Sequence, residues 1–177
     1  MAASEPKRIG VSIDLKPHAY DPAANPELFE GVLARRLVAF VIDVVIIAAP
    51  VAVAGLFVFL LGLLTFGLGW WLFWPLFGPG AIIWVLVYYG STLGNPASAT
   101  IGMRRMGLEM RTWYGAPSYF VLGAVHAIVF WITISALTPF ILLVGFFNER
   151  HRLLHDIVLG TVIINSPERT AAARRAN

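Results

Sequence analysis

Cysteine is absent from the 177 residues. That excludes disulfides, thiolate metal sites and cysteine nucleophiles, and says nothing of compartment. Charge is almost as scarce: 13 % of residues are charged and 58 % hydrophobic, with a mean hydropathy of +0.75, where a soluble domain carries about 25 % charged residues. Between Leu37 and Ile101 the only formal charge is Asp43, and between Gly115 and Asn148 there is none when His126 is neutral. A water-soluble globule cannot cover its surface with so little charge, so lipid is the natural solvent of both stretches. Chemical signatures are missing too. There is no His-Glu-x-x-His pattern, no phosphate-binding arrangement of Gly94, Gly102 and Gly107, and no serine–histidine–acid constellation. No enzymatic activity, cofactor or metal is expected. Residues 1–30 hold Lys7, Arg8 and Lys16 among acids and prolines, without the apolar core of a signal peptide. The net charge of +3 and pI near 9.6 do not point to nucleic acid, because the basic residues flank apolar blocks, where headgroups and the positive-inside rule account for them.

What remains is a small all-α, polytopic membrane protein with three to four membrane helices. Residues 1–24 read as a solvated, disordered tail of mixed charge. Residues 25–165 form the membrane domain and residues 166–177 a second polar tail. Asn25-Pro26-Glu27 has the pattern of a helix start, and Gly31 is a candidate bend before the first membrane helix. Block one spans Leu37–Leu64, roughly 28 apolar residues where about 20 suffice. A glycine-rich turn around Thr65–Gly69 leads to block two, Trp70–Tyr89, whose first turns are expected to be irregular at Pro75 and Gly78-Pro79-Gly80. Gly90–Ala116 reads as a polar loop. Block three, Pro117–Phe147, contains Pro139.

Arginines set the expected topology. Arg35 and Arg36 precede block one, Arg104, Arg105 and Arg111 follow block two, and Arg150 and Arg152 follow block three. The positive-inside rule then places the N-terminal tail, the 90–116 loop and the C-terminal tail all in the cytoplasm. Three straight crossings cannot do this. Block three therefore either forms a hairpin or re-enters, with a break in Thr133–Pro139, or it is a single kinked helix.

Asp43 is the residue most expected to matter. A carboxylate at membrane depth costs about 2.5–3.5 kcal/mol on insertion scales, so it faces protein or water and has a partner. It is either an ion- or proton-binding group or a structural polar anchor. Arg36 lies two turns earlier on nearly the same face, roughly 10 Å along the axis. His126, the only titratable side chain in block three, lies at similar depth; it either contacts Asp43 or hydrogen-bonds a backbone carbonyl. Asn148-Glu149-Arg150-His151-Arg152 and His155-Asp156 make a weak metal signal and read as a juxtamembrane charge network.

Three stretches together resemble the RDD family of bacterial membrane proteins, named for one arginine and two aspartates. They are Arg36-Leu37-Val38-Ala39-Phe40-Val41-Ile42-Asp43, then Ala99-Thr100-Ile101-Gly102-Met103-Arg104-Arg105-Met106-Gly107-Leu108, and His155-Asp156-Ile157-Val158-Leu159-Gly160-Thr161-Val162. The resemblance covers about residues 30–165. It implies that Arg36, Asp43 and Asp156 are the family's three residues, and that Thr100, Gly102, Arg104 and Gly107 belong to its loop motif. Met103 stands where the family commonly has lysine. The resemblance implies a location in the bacterial cytoplasmic membrane, with ligand transport, and in some members sodium/proton exchange, as suggested roles. Two functional expectations follow. One is transport of an ion or small ligand, with Asp43 as the intramembrane carboxylate and a homo-oligomer or another membrane protein completing the pathway. The other is a structural or accessory protein in which Arg36, Asp43 and Asp156 form a polar staple; His126 and His155 are the further candidate residues of this ion-binding or structural site.

Overall fold

The structure, a computed structural model, describes residues 18–137 and 144–176. Residues 1–17, and Pro139 with the end of the expected break in block three, lie outside the described residues. A 3-10 turn, Pro26–Leu28, follows Asn25 as the sequence suggests, although the Asn25 side chain makes no capping bond. Gly31, at φ 62°, redirects the chain into α1 (Val32–Leu64). Helix α1 has 33 residues, about 50 Å at 1.5 Å per residue against a hydrocarbon core of about 30 Å. It is therefore longer than a straight crossing requires.

Helix α2 (Leu68–Leu93) runs back antiparallel to α1. The turn between them is tight. Thr65 Oγ1 donates to the Leu61 carbonyl and accepts from the Gly69 amide, each at 2.7 Å. A Cβ on Gly69 would lie 2.9 Å from the Gly62 amide nitrogen, so the crossing needs glycine. The irregular start expected for block two is not found. Helix α2 is continuous through Pro75 and Pro79, because prolines in a lipid-facing helix cost only their own missing amide bonds, which local adjustment of the turn accommodates. Both helices expose large apolar side chains on most of their length, among them Leu37, Val45, Phe57, Trp71 and Ile82.

The expected polar loop after block two is built rather than open. It holds a short helix, α3 (Ile101–Arg105), and a strand, β1 (Leu108–Thr112). Helix α4 (Phe120–Leu137) enters block three, followed after the undescribed stretch by α5 (Leu154–Leu159), β2 (Thr161–Asn165) and α6 (Pro167–Ala176). The fold is mostly helical, but the all-α expectation missed one element. Strands β1 and β2 pair antiparallel, from Leu108 opposite Asn165 to Thr112 opposite Thr161. All five β2 residues are buried, packed partly on Phe29.

Both ends of block three lie at the same end of the α1–α2 hairpin. Phe120 packs on Gly90 and Gly94 at the end of α2, and Gly145 packs on Leu33 in the first turn of α1. The 3-10 turn, α3, the two strands, α5 and α6 gather at this end into a polar cap. The core runs from cap to bundle through Leu108, Met110, Met103, Ala39, Tyr88 and Ala127.

Candidate functional site

Two buried carboxylates join the cap to the helices. The first is Asp43 on α1, 3 % exposed. Its Oδ1 accepts from the Tyr88 hydroxyl at 2.5 Å and from the Gly102 amide at 2.8 Å, and its Oδ2 accepts from the Thr100 hydroxyl at 2.5 Å. Thr100 is also the N-cap of α3, its oxygen accepting from the Met103 amide at 3.1 Å. One hydroxyl thus starts the helix and binds the carboxylate. Gly102 is needed for the approach: a Cβ there would lie 2.2 Å from the Ala39 carbonyl oxygen and 2.9 Å from Asp43 Cγ. Met103 is buried in the core, where an apolar side chain fits and a lysine would be desolvated. Gly107, at φ 65°, turns the chain from α3 into β1, while Arg104 Nε donates back to the Ala99 carbonyl at 3.1 Å. All the described donors to Asp43 are neutral.

The second carboxylate is Asp156, fully buried on α5. Its Oδ2 pairs with Arg36 Nη1 at 2.6 Å and accepts from the Leu153 amide at 3.0 Å, which starts α5. Its Oδ1 lies 3.0 Å from His126 Nε2 and 3.4 Å from His155 Nε2. Arg36 also donates to the His151 carbonyl at 3.2 Å and faces His155 Nε2 at 3.3 Å. Burial by itself would push the Asp156 carboxyl up, but the Arg36 guanidinium above all, with the hydrogen bond to His126, outweighs it and holds the group well below the usual carboxylate range. Burial pushes the His155 imidazole down to about 3, against the pull of Asp156, so this ring is neutral. Its Nδ1 is buried without a hydrogen-bond partner. The rings of His126 and His155 meet edge to face at 4.9 Å, and Phe130 closes on His155 at 5.1 Å.

The sequence-predicted residues therefore separate into two groups. Thr100 and Gly102 join Asp43, while Arg36, His126 and His155 join Asp156. Arg36 reaches forward to α5 rather than along its own helix to Asp43, because a bare guanidinium–carboxylate pair two turns apart would leave both groups far from contact. His126 bonds Asp156 and not Asp43. Tyr88, near the end of block two, is a site residue that sequence reasoning missed. The signal that could have found it is the need of a buried carboxylate for donors at its own depth on the antiparallel helix.

Among the described residues, two helices are long and apolar enough to cross a membrane, with α4 a shorter apolar third. A lipid-exposed helix hairpin, capped at one end by polar elements through two buried carboxylates, defines a small helical membrane protein. The RDD family profile matches residues 31–160, and the chain belongs to the RDD family. No curated protein and no solved structure matches the chain.

Proposed function

We propose that this is a multi-pass protein of the bacterial cytoplasmic membrane, with its cap in the cytoplasm, and that Arg36, Asp43 and Asp156 are polar staples of a structural or accessory membrane module. Orientation rests on the arginines. Arg36, Arg104, Arg105, Arg111, Arg150 and Arg152 all belong to the cap end, and the α1–α2 turn at the opposite end carries no charge. Block three, entering and leaving at the cap end, is then re-entrant or a short hairpin.

The observation that carries the staple reading is the filling of Asp43. Three donors from α2 and α3 already occupy it, which leaves poor access for a passing cation. The grooves between the helices support the same reading. The one between α1, α2 and α4, lined by residues such as Ile47, Val51, Val85, Ala127 and Trp131, is wholly apolar. Replacing Asp43 by asparagine tests it. The staple predicts a lower melting temperature in detergent micelles and no proton- or Na⁺-driven flux in liposomes from wild type. A folded, inserted Asp43→Asn protein that melts like wild type sinks this reading.

Transport of an ion or small ligand is the second reading, and it moves from Asp43 to the Asp156 centre. The favouring observation is the convergence of two imidazoles and a guanidinium on one buried carboxylate between α1, α4 and α5. Among the described residues the two grooves between the helices are lined almost wholly by apolar side chains, so this reading needs a homo-oligomer or another membrane protein. Flux in wild-type liposomes that is lost in folded His126→Gln protein would establish it.

A further inference from the structure

His155 sits in a mismatched place. If Arg36 donates to its Nε2, that nitrogen carries a lone pair, which then faces Asp156 Oδ1 across 3.4 Å with no proton between them. If Nε2 carries the proton instead, the guanidinium faces an N–H. Either arrangement leaves Nδ1 without a partner, a costly condition for a residue 1 % exposed. His126 Nε2 approaches the same oxygen from α4 at 3.0 Å. One nitrogen from each imidazole and a carboxylate oxygen lie within 4.8 Å of one another, and all three residues are buried.

We propose that His126, His155 and Asp156 bind a late first-row divalent metal of the Zn²⁺ type, which ties α4 to α5 at the cap. Ligand distances of about 2.0–2.2 Å in a tetrahedral zinc site put neighbouring ligand atoms about 3.3 Å apart. The two nitrogen–oxygen separations, 3.0 and 3.4 Å, bracket that edge. Asp156 divides its two oxygens in the manner of a metal-binding carboxylate held from behind: Oδ1 faces the imidazoles, and Oδ2 is fixed by Arg36 and the Leu153 amide. Binding requires His126 to carry its proton on Nδ1 and Arg36 to keep Oδ2 while releasing Nε2 of His155. Arg36 also selects the ion. A positive charge this close opposes a hard cation held by charge alone, such as Mg²⁺ or Ca²⁺, and leaves ions that bond strongly to imidazole nitrogen. A fourth ligand comes from water or an added small molecule.

The proposal stands apart from the staple at Asp43, and the two can fail separately. Chelator-stripped, full-length protein in detergent micelles is titrated with Co²⁺ and then with Zn²⁺. The expected result is one equivalent bound, with strong visible absorption of four-coordinate Co²⁺ that Zn²⁺ displaces. His126→Gln and His155→Gln are each expected to bind at least about tenfold more weakly, while Tyr88→Phe, which loosens only the Asp43 centre, keeps wild-type affinity. The wild-type spectrum is read first and needs no variant to fold: no stoichiometric uptake, or only the weak absorption of six-coordinate Co²⁺, overturns the site. Folded glutamine variants that bind as tightly as wild type overturn it as well.

Discussion

At the scale of single residues, the two carboxylates are held by different physics and should respond differently to substitution. Asp43 is bound by neutral donors, so an Asp43→Asn side chain that keeps its oxygen toward Tyr88 and Gly102 turns an amide toward the Thr100 hydroxyl. The expected loss is about 1.5–3 kcal/mol, the range for a hydrogen bond to a charged group, read as a lower melting temperature. Gly102→Ala should be worse, because its methyl would lie 2.2 Å from a backbone oxygen that cannot swing away; Thr100→Ser should be nearly silent. The reverse order would mean that α3 does not press on α1 as described. Asp156 is an ion-pair centre. Arg36→Ala strands a fully buried carboxylate at an expected cost of about 3–5 kcal/mol. The Arg36→Ala, Asp156→Ala double variant should lose less than the two single variants summed, and strict additivity in that cycle would remove the pair.

At the scale of elements, hydropathy makes α1 and α2 legible because lipid imposes a long, uninterrupted apolar run that nothing else in a small protein needs. The same logic misreads the cap. Leu108–Thr112 carries Glu109 and Arg111 within a polar stretch, and the sequence offers no sign that Thr161–Asn165, more than forty residues later, will cover it. The Thr-x-Gly and His-Asp motifs mark which residues matter without saying which carboxylate each serves, since that pairing depends on α3 folding back on α1. One small element has its own prediction. His18 meets the Trp113 ring edge to face at 4.1 Å, and the Ala19 amide donates to the Trp113 carbonyl. Burial, with Arg150 and Arg152 nearby, pushes the His18 imidazole down to about 4 from its ordinary 6.5. The folded state therefore binds this proton less readily than the unfolded state. The docking it supports is complete above pH 6.5 and fades as the pH falls toward 4. Amide-exchange protection at Ala19 and Tyr20 should decline over that window in wild type and be flat in His18→Ala; equal profiles would contradict it.

At the scale of the whole molecule, the absence of cysteine makes topology directly measurable with single-cysteine variants. Phe66, wholly exposed in the α1–α2 turn, should react as cysteine with a membrane-impermeant maleimide on the outside of intact cells. Cysteines placed at Glu149 and Arg169 should react only after the membrane is opened. Labelling of position 149 from outside would mean that block three crosses once. The Asp43 staple carries a further consequence, for biogenesis. Its donors lie 45, 57 and 59 residues downstream, so during synthesis the translocon meets this carboxylate before Tyr88, Thr100 and Gly102 exist. Helix α1 must therefore be released into lipid on its surplus of valine, isoleucine and leucine, each worth about 0.3–0.6 kcal/mol at mid-membrane. The staple can only be fastened after α2 has followed, which makes it a checkpoint of assembly as well as a bond in the finished protein.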